Sequence, residues 1–304
     1  MTGDAYFATG DLAASTGVRV GHWTDEVALT GCTVIRFDAP VRCVVDVRGG
    51  APATRETDLL APGRLVRQAD ALLFTGGSAF GLAAADGVMR ALREDGRGVA
   101  TPAGPVPIIP TAAIFDLAVG RPAHPDDSAG YAATRAAVDL ASATWGRVGA
   151  GRGATVAKIT GAPLPGGIGL GEARWPGGRV QAIAVVNALG VISPDGGAVA
   201  AVDPRQGLLD DAPISPAGGN TTLVALLVDA PICDDDLLRA AVSAHDGIAR
   251  AIVPAHTAFD GDIVFAASLR PVIAQTPPSL AVTIAAELAV ERAIRAAVRQ
   301  APDD

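Results

Sequence analysis

The stretch Pro216-Ala217-Gly218-Gly219-Asn220-Thr221-Thr222-Leu223 sets a threonine at the head of an apolar run, directly after a flexible polar turn. Breaking the Asn220–Thr221 bond would give Thr221 a free α-amine beside its own hydroxyl, so that one residue carries both nucleophile and base. For that cut, the Thr221 hydroxyl must lose a proton and reach the Asn220 carbonyl, and Gly218-Gly219 allow the bend that brings these atoms together. An N→O acyl shift then gives an ester. The shift frees an amine whose reference pKa of ~7.7–8.0 already suits general base work near neutrality, and hydrolysis of the ester restores the hydroxyl. Taken alone, the same residues read more simply as a Gly-rich loop entering a buried strand.

Other routes to a reactive site are less well supplied. His22, His124, His245 and His256 form no i,i+4 pair and have no carboxylate partner visible in sequence, so a Ser-His-Asp triad is hard to assemble and each histidine reads as structural or solvated. A nucleophile that carries its own amine needs no histidine. Gly149-Ala150-Gly151-Arg152-Gly153-Ala154 matches a loose G-x-G-x-x-A pattern, but only Thr155 to Thr160 separates it from Gly161-Ala162-Pro163, too short for the helix that would hold a pyrophosphate. Thr75-Gly76-Gly77-Ser78-Ala79-Phe80-Gly81 stands where a nucleophile elbow would, yet Phe80 occupies the glycine position of G-x-S-x-G. Ser78 therefore reads as a helix cap, with backbone amides near it that could line a site.

The elements that must position Thr221 alternate between strand-like runs and Ala-rich helical ones. Strands are expected at Arg42–Val47, Ala71–Phe74, Thr155–Ile159, Val180–Val186 and Ile263–Ala267, and Leu223–Val228 reads as a central buried strand. Val106–Val119, interrupted by Pro107 and Pro110, suits an irregular strand. Helices are expected at Phe80–Glu94, Gly130–Thr144, Asp234–Ile252 and Leu280–Arg299. Asp234, Asp235 and Asp236 open one of them, where negative charge favours a helix start over a metal cage. Asp195–Asn220 reads as an exposed linker that ends at the proposed cut.

Composition narrows the function. A chain of 304 residues, 49% hydrophobic and 18% charged, can bury a large core. Its net charge of −8, with no Lys/Arg cluster, argues against nucleic acid as a partner. Cys32, Cys43 and Cys233 lack metal-site spacing and read as thiols in a reducing compartment. The first residues show no export signal, and Leu280–Val298 is broken by Glu287, Glu291, Arg292 and Arg295, which makes it an amphipathic helix rather than a membrane span. Cytoplasmic residence is the expectation.

Several blocks, in order, resemble the DmpA-type L-aminopeptidase/D-esterase family, which includes the nylon-oligomer (6-aminohexanoate oligomer) hydrolases. They are Val20-Gly21-His22-Trp23-Thr24-Asp25, Thr30-Gly31-Cys32-Thr33-Val34, Val47-Arg48-Gly49-Gly50-Ala51-Pro52 with Thr54-Arg55-Glu56-Thr57-Asp58, and Thr75 to Leu82, followed by Gly166-Gly167-Ile168-Gly169, Val185 to Gly190 and Gly219 to Leu223. The resemblance spans nearly the whole chain. It implies an α/β fold, a four-layer αββα sandwich of the DmpA/ornithine acetyltransferase type, forming a single domain over residues 1–304. It also implies self-cleavage into Met1–Asn220 and Thr221–Asp304, fragments held together non-covalently, and assembly of such pairs into a homo-oligomer. The Asn-Thr junction is that of the nylon-oligomer branch, where the aminopeptidase type has Gly-Ser.

The residues matching the family's site are Thr221 as nucleophile, with Lys158, Asn187, Asp260 and Asp262 around it. Lys158 lies within Thr155-Val156-Ala157-Lys158-Ile159, which reads as an apolar strand. It is either a solvent-facing edge lysine or, near the new amine, a second ammonium that disfavours the amine's protonation. Asp260 and Asp262 flank Gly261 before a strand; if the strand begins at Asp260, alternation aims both carboxylates to one side, where they could orient the Thr221 amine and hydroxyl. Asp-Gly-Asp also serves ordinary turns. Asn187 ends a strand, where its amide could donate to a tetrahedral oxyanion, or simply enter the turn at Gly190. The chemistry needs no metal or organic cofactor. The expected function is amide hydrolysis through an acyl-enzyme, on a short peptide, a small amide or ester, or an amino-acid oligomer. The alternatives are an acyltransferase of the ornithine acetyltransferase type and a non-enzymatic scaffold.

Overall fold

Leu223, Val224, Ala225, Leu226, Leu227 and Val228 are all buried, because their strand is covered on both faces. The structure, a computed structural model, describes residues 17–192, 219–271 and 280–300. Its strands are β1 (Val18–Asp25), β2 (Thr30–Val47), β3 (Thr54–Arg55), β4 (Gln68–Thr75), β5 (Thr111–Ala113), β6 (Val138–Asp139), β7 (Thr155–Val156), β8 (Leu164–Pro165), β9 (Gly167–Trp175), β10 (Gly178–Asn187), β11 (Val191–Ile192), β12 (Thr221–Asp229), β13 (Ile252–Val253) and β14 (Ile263–Ser268). The helices are α1 (Ser78–Gly81), α2 (Ala84–Glu94), α3 (Asp127–Arg135), α4 (Asp234–Ala251) and α5 (Leu280–Arg299).

The main sheet runs β3-β5-β4-β2-β14-β12-β10-β9, with β1 and β6 attached beside β2. The long β2 belongs to both halves: its first part pairs with β1, its second with β14, and its register to β4 shifts between Arg36 and Val41. The sheet therefore folds over along β2 into two facing layers. Strand alternation then sorts the side chains. Ile35, Phe37, Leu72 and Phe74 from one layer meet Ile183, Val185, Leu223, Ala225, Leu227, Ile263 and Phe265 from the other in a shared core. The rings of Phe74 and Phe265 lie 6.3 Å apart across it. The opposite faces carry Cys32, Val34, Ala71 and Leu73 against α2 and α3, and Val186, Val224, Leu226 and Val264 against α4 and α5. This is the expected αββα sandwich.

Glycines on one face of β9 let α5 press onto the strand. A Cβ at Gly169 would fall 2.4 Å from the Ala293 carbonyl oxygen, and at Gly171 2.2 Å from that of Ala289. Small residues on both partners set this close approach.

Several expectations are corrected. The helix expected over Gly130–Thr144 is α3, which starts earlier because the Asp126 carboxylate accepts from Ala129 N at 3.0 Å. It also stops sooner, since Val138 and Asp139 are taken up by pairing with β1. The helix expected over Phe80–Glu94 is broken between α1 and α2. Ser78 does not cap α1 with its side chain: it begins the helix with φ +55, after Gly77 at φ +79, whose N–H donates to Asp116 Oδ1 at 2.6 Å. The strand expected over Thr155–Ile159 ends at Val156; Ala157 turns with φ +58 and Lys158–Thr160 forms a 3-10 turn. Apart from Gly219 and Asn220, the linker Asp195–Asn220 lies outside the described residues. Cys32, Cys43 and Cys233 are free thiols, and burial pushes that of Cys43 up to about 12.

Candidate active site

Thr221 is the first residue of β12, placed opposite Asn187 at the end of β10. By alternation with Leu223 and Ala225, its side chain faces the space between the sheets, at the end of the shared core. It is 4% exposed, and the preceding Asn220 is 2% exposed. The Thr221 hydroxyl donates to the Asn220 carbonyl oxygen at 2.5 Å, and the same oxygen accepts from Gly261 N at 2.7 Å. Asn220 is itself held in parallel pairing with Asp260, its N–H donating to the Phe259 carbonyl at 3.1 Å. A hydroxyl thus rests against the carbonyl group that it would attack, and a fixed backbone N–H points at the oxygen where negative charge would build up.

Gly261 leaves room for that hydroxyl, since an added Cβ would stand 2.8 Å from Thr221 Oγ1 and 2.9 Å from the Ala51 carbonyl oxygen. Replacing Gly261 by alanine keeps the N–H donor and displaces the hydroxyl. The expected result is slowing of any self-cleavage and turnover by about 100-fold, the cost of a misplacement near 1 Å. A time course of chain cleavage by intact mass, beside wild type, measures it; equal rates would show that the close approach is irrelevant.

Asn187 is fully buried. Its Nδ2 donates to the carbonyls of Phe115 at 3.1 Å and Gly219 at 3.3 Å, and its Oδ1 accepts from Thr155 N at 3.0 Å. In the continuous chain, its amide therefore holds the residue before Asn220, while the Asn220 carbonyl is served by Gly261. Lys158, carried on the turn after β7, reaches back to Asn187: Nζ donates to Asn187 Oδ1 at 2.8 Å, Asn187 O at 2.9 Å and Thr155 O at 2.9 Å. Burial pushes the Lys158 ammonium down to about 7, against the opposing pull of the Asp260 charge. The solvent-facing alternative does not hold for this lysine.

The Asp260-Gly261-Asp262 loop precedes β14, which begins at Ile263, so the two carboxylates do not project together from a strand. Asp260 Oδ2 turns onto its own loop, accepting from Thr257 N at 2.8 Å and Thr257 Oγ1 at 2.6 Å. Burial raises its pKa, the charge of Asp262 adds to this, and the Thr257 bonds oppose both. Asp262 Oδ1 accepts from Thr222 N at 2.6 Å and its Oδ2 from His256 Nδ1 at 2.8 Å. Both aspartates are buried beside the nucleophile candidate, and they secure backbone there rather than its hydroxyl.

Three contributors were not legible as such in the sequence. Gly49 and its neighbours cradle the aspartate loop: Arg48 N donates to Asp262 O at 3.0 Å and Ala51 N to Asp260 O at 2.8 Å. A Cβ at Gly49 would stand 2.3 Å from the Asp260 carbonyl oxygen, which gives the Gly49-Gly50 block its reason. Gly261 and His256 are the other two. The glycine between two acids was a usable signal; His256 offered none, because its partner is fixed by loop geometry.

The chain is similar to known proteins in sequence and in fold. The model of Peptidase family S58 matches residues 12–303. An uncharacterized aminopeptidase of Mycobacterium tuberculosis is 43% identical over 297 residues, covering 88% of this chain and 83% of its own length. A 6-aminohexanoate-oligomer endohydrolase of Paenarthrobacter ureafaciens is 30% identical over 280 residues, covering 86% of this chain and 76% of its own. Among solved structures, the L-aminopeptidase D-Ala-esterase/amidase from Ochrobactrum anthropi, described as a variant of the Ntn hydrolase fold, aligns with a TM-score of 0.71 at 20% identity over 97% of this chain and 88% of that one. A Burkholderia beta-aminopeptidase aligns with a TM-score of 0.70 at 22% identity, over 96% and 87%.

Proposed function

Because this chain belongs to peptidase family S58 and is a hydrolase of amide bonds, we propose that it cuts itself between Asn220 and Thr221 and then works through the new N-terminal Thr221. The observation that carries this is the Thr221 hydroxyl lying on the Asn220 carbonyl oxygen at 2.5 Å, with Gly261 N–H on the same oxygen at 2.7 Å. In the first reaction Oγ bonds to the Asn220 carbonyl carbon, the C–N bond breaks, and the nitrogen takes up the hydroxyl proton. The shift leaves the α-amine free, and water then cleaves the ester, giving the Asn220 carboxylate and restoring the Thr221 hydroxyl. In turnover that amine takes the Thr221 hydroxyl proton, the hydroxyl attacks the substrate carbonyl, the leaving amine receives the proton, and water hydrolyses the acyl-enzyme. Lys158 holds the Asn187 amide, which in turn holds Gly219 ahead of the cut.

The fragments 1–220 and 221–304 remain joined without the peptide bond. β12 and β14 of the shorter piece lie side by side between β10 and β2 of the longer one. Several such pairs assembling together is the arrangement that the family resemblance implies, and a reducing cytoplasm suits the free thiols Cys32, Cys43 and Cys233. The substrate class is a short linear amide built of amino acids, a peptide with a free amino end or an amino-acid oligomer, in keeping with the names of the relatives. Water is the acceptor; none of the relatives named above is an acyltransferase.

Intact-mass analysis of the purified protein should resolve two co-purifying polypeptides that meet at Asn220 and Thr221. An activated amino-acid ester should add one acyl group to the piece that begins at Thr221. A single unbroken chain in a preparation that turns over amides, or acylation elsewhere, overturns the reading.

A further inference from the structure

His256 lies in the loop between β13 and β14 with φ +56, a left-handed conformation uncommon outside glycine, in which asparagine, aspartate and histidine are enriched. Its backbone N–H donates to Asp262 Oδ2 at 3.1 Å, and its ring Nδ1 reaches the same oxygen at 2.8 Å. A carboxylate oxygen only accepts, so Nδ1 carries a proton. The other Asp262 oxygen takes the N–H of Thr222, the residue directly after Thr221, at 2.6 Å. One carboxylate therefore ties His256 to the first backbone group beyond the nucleophile. The left-handed backbone of His256 is what delivers two donors to one oxygen.

We propose that His256 is a positioning residue for the hydrolysis: it clamps Asp262, and Asp262, through Thr222 N–H, fixes where the Thr221 amine and hydroxyl stand. The inference rests on the reading of Thr221 as nucleophile.

The groups that face this clamp are Asp262 and Asp260 from its own loop, His245 from α4, and Asp46 and Arg48 from β2 and the residue after it. The His245 ring stands edge-on to that of His256, centroids 4.8 Å apart, with its Nε2 at 3.2 Å from the Asp46 carbonyl. Burial, with the neighbouring His256 charge, pushes His245 down to about 4, so it is neutral near pH 7. Burial also works against charge on His256, but the bond to Asp262 and that carboxylate's charge outweigh it and hold His256 above the usual histidine value. The clamp therefore does two separable things. Its N–H groups hold Asp262, and when the ring is protonated its charge makes protonation of the nearby Thr221 amine less favourable.

Two substitutions separate them. His256→Gly keeps the backbone conformation and removes the ring; His256→Asn tolerates the same φ and returns an uncharged side-chain donor at the place of Nδ1. Measured on the cleaved form with a small amino-acid amide, His256→Gly should lower kcat by about 10- to 100-fold with KM little changed, the range that follows from losing a hydrogen bond to a charged group. His256→Asn should recover most of kcat. In both variants the acid limb of the kcat/KM profile should move to higher pH, because the imidazolium is gone. Wild-type kcat in His256→Gly, no recovery in His256→Asn, or an unmoved acid limb in both would overturn the proposal. Thr221→Ala is assayed alongside: if it is inert while His256→Gly is unaffected, only the clamp is rejected; if it still turns over, both readings fall.

Discussion

Replacing Thr221 by alanine should leave the polypeptide unbroken and abolish turnover. The hydroxyl that rests 2.5 Å from the Asn220 carbonyl oxygen is then gone, and nothing else can start the acyl shift from within the same residue. Without the shift no α-amine is released, so the base disappears together with the nucleophile. Loss of such a unit costs about six orders of magnitude in kcat. The fold should survive, because the alanine still heads a strand whose next residues, Leu223 to Val228, are buried. The lost hydrogen bond is worth only about 1 kcal/mol. Thr221→Ser keeps the oxygen and should still mature. Intact mass, a melting curve and an amide assay on the three proteins make the comparison; cleavage or turnover in the alanine variant would sink the mechanism.

Lys158→Met is the second change with a large expected effect. Methionine matches the stem but removes the bonds to Asn187 Oδ1, Asn187 O and Thr155 O, leaving Thr155 N as the main donor to Asn187 Oδ1. The amide of Asn187, which holds Gly219 in the approach to the proposed cut, loses one of its restraints. Removing one preorganised donor of this kind costs about 100- to 1,000-fold, and both self-cleavage and kcat should fall by that order.

The same variant tests the electrostatics. Burial holds Lys158 at about 7 in the folded protein, against an ordinary value of 10.5. Between those values the unfolded chain binds the proton and the folded one does not, so stability should rise with pH across this window in wild type. Below it the charged lysine is buried at a cost; above it the penalty is gone. Lys158→Met should lack this rise. Denaturant unfolding of both proteins at pH 7 and pH 10 decides the matter, and equal slopes would place the ammonium in solvent.

Much of the frame was readable from residue patterns, and the failures have physical causes. Leu223–Val228 is apolar at every position because two covered faces demand it, so its central place could be anticipated. Ala-rich α5 was legible from its spacing, as was the acidic start of α4. Lys158 was picked out, but its local structure was misread. The bonds to Asn187, 29 residues away, draw the chain into a turn that a run of Thr, Val, Ala and Ile does not announce. Asp262 and His256 are near in sequence, yet their contact depends on a left-handed backbone at His256 that no local residue pattern announces. The pairing of Gly261 with Asn220 could not be seen at all, since it arises only when β12 and β14 align in parallel.

That alignment also sets a sequence of events. The oxygen, the amide that polarises its target and the lysine that steadies the surroundings arrive on separate strands and loops, and none of them meets another until the central layers have closed. If the chain cuts itself as proposed, a newly synthesised chain should be inert toward itself and toward other amides, and severing the backbone would certify that assembly is complete. Under the proposed self-cleavage, maturation would act as a built-in inspection step, with no second enzyme needed to judge the product.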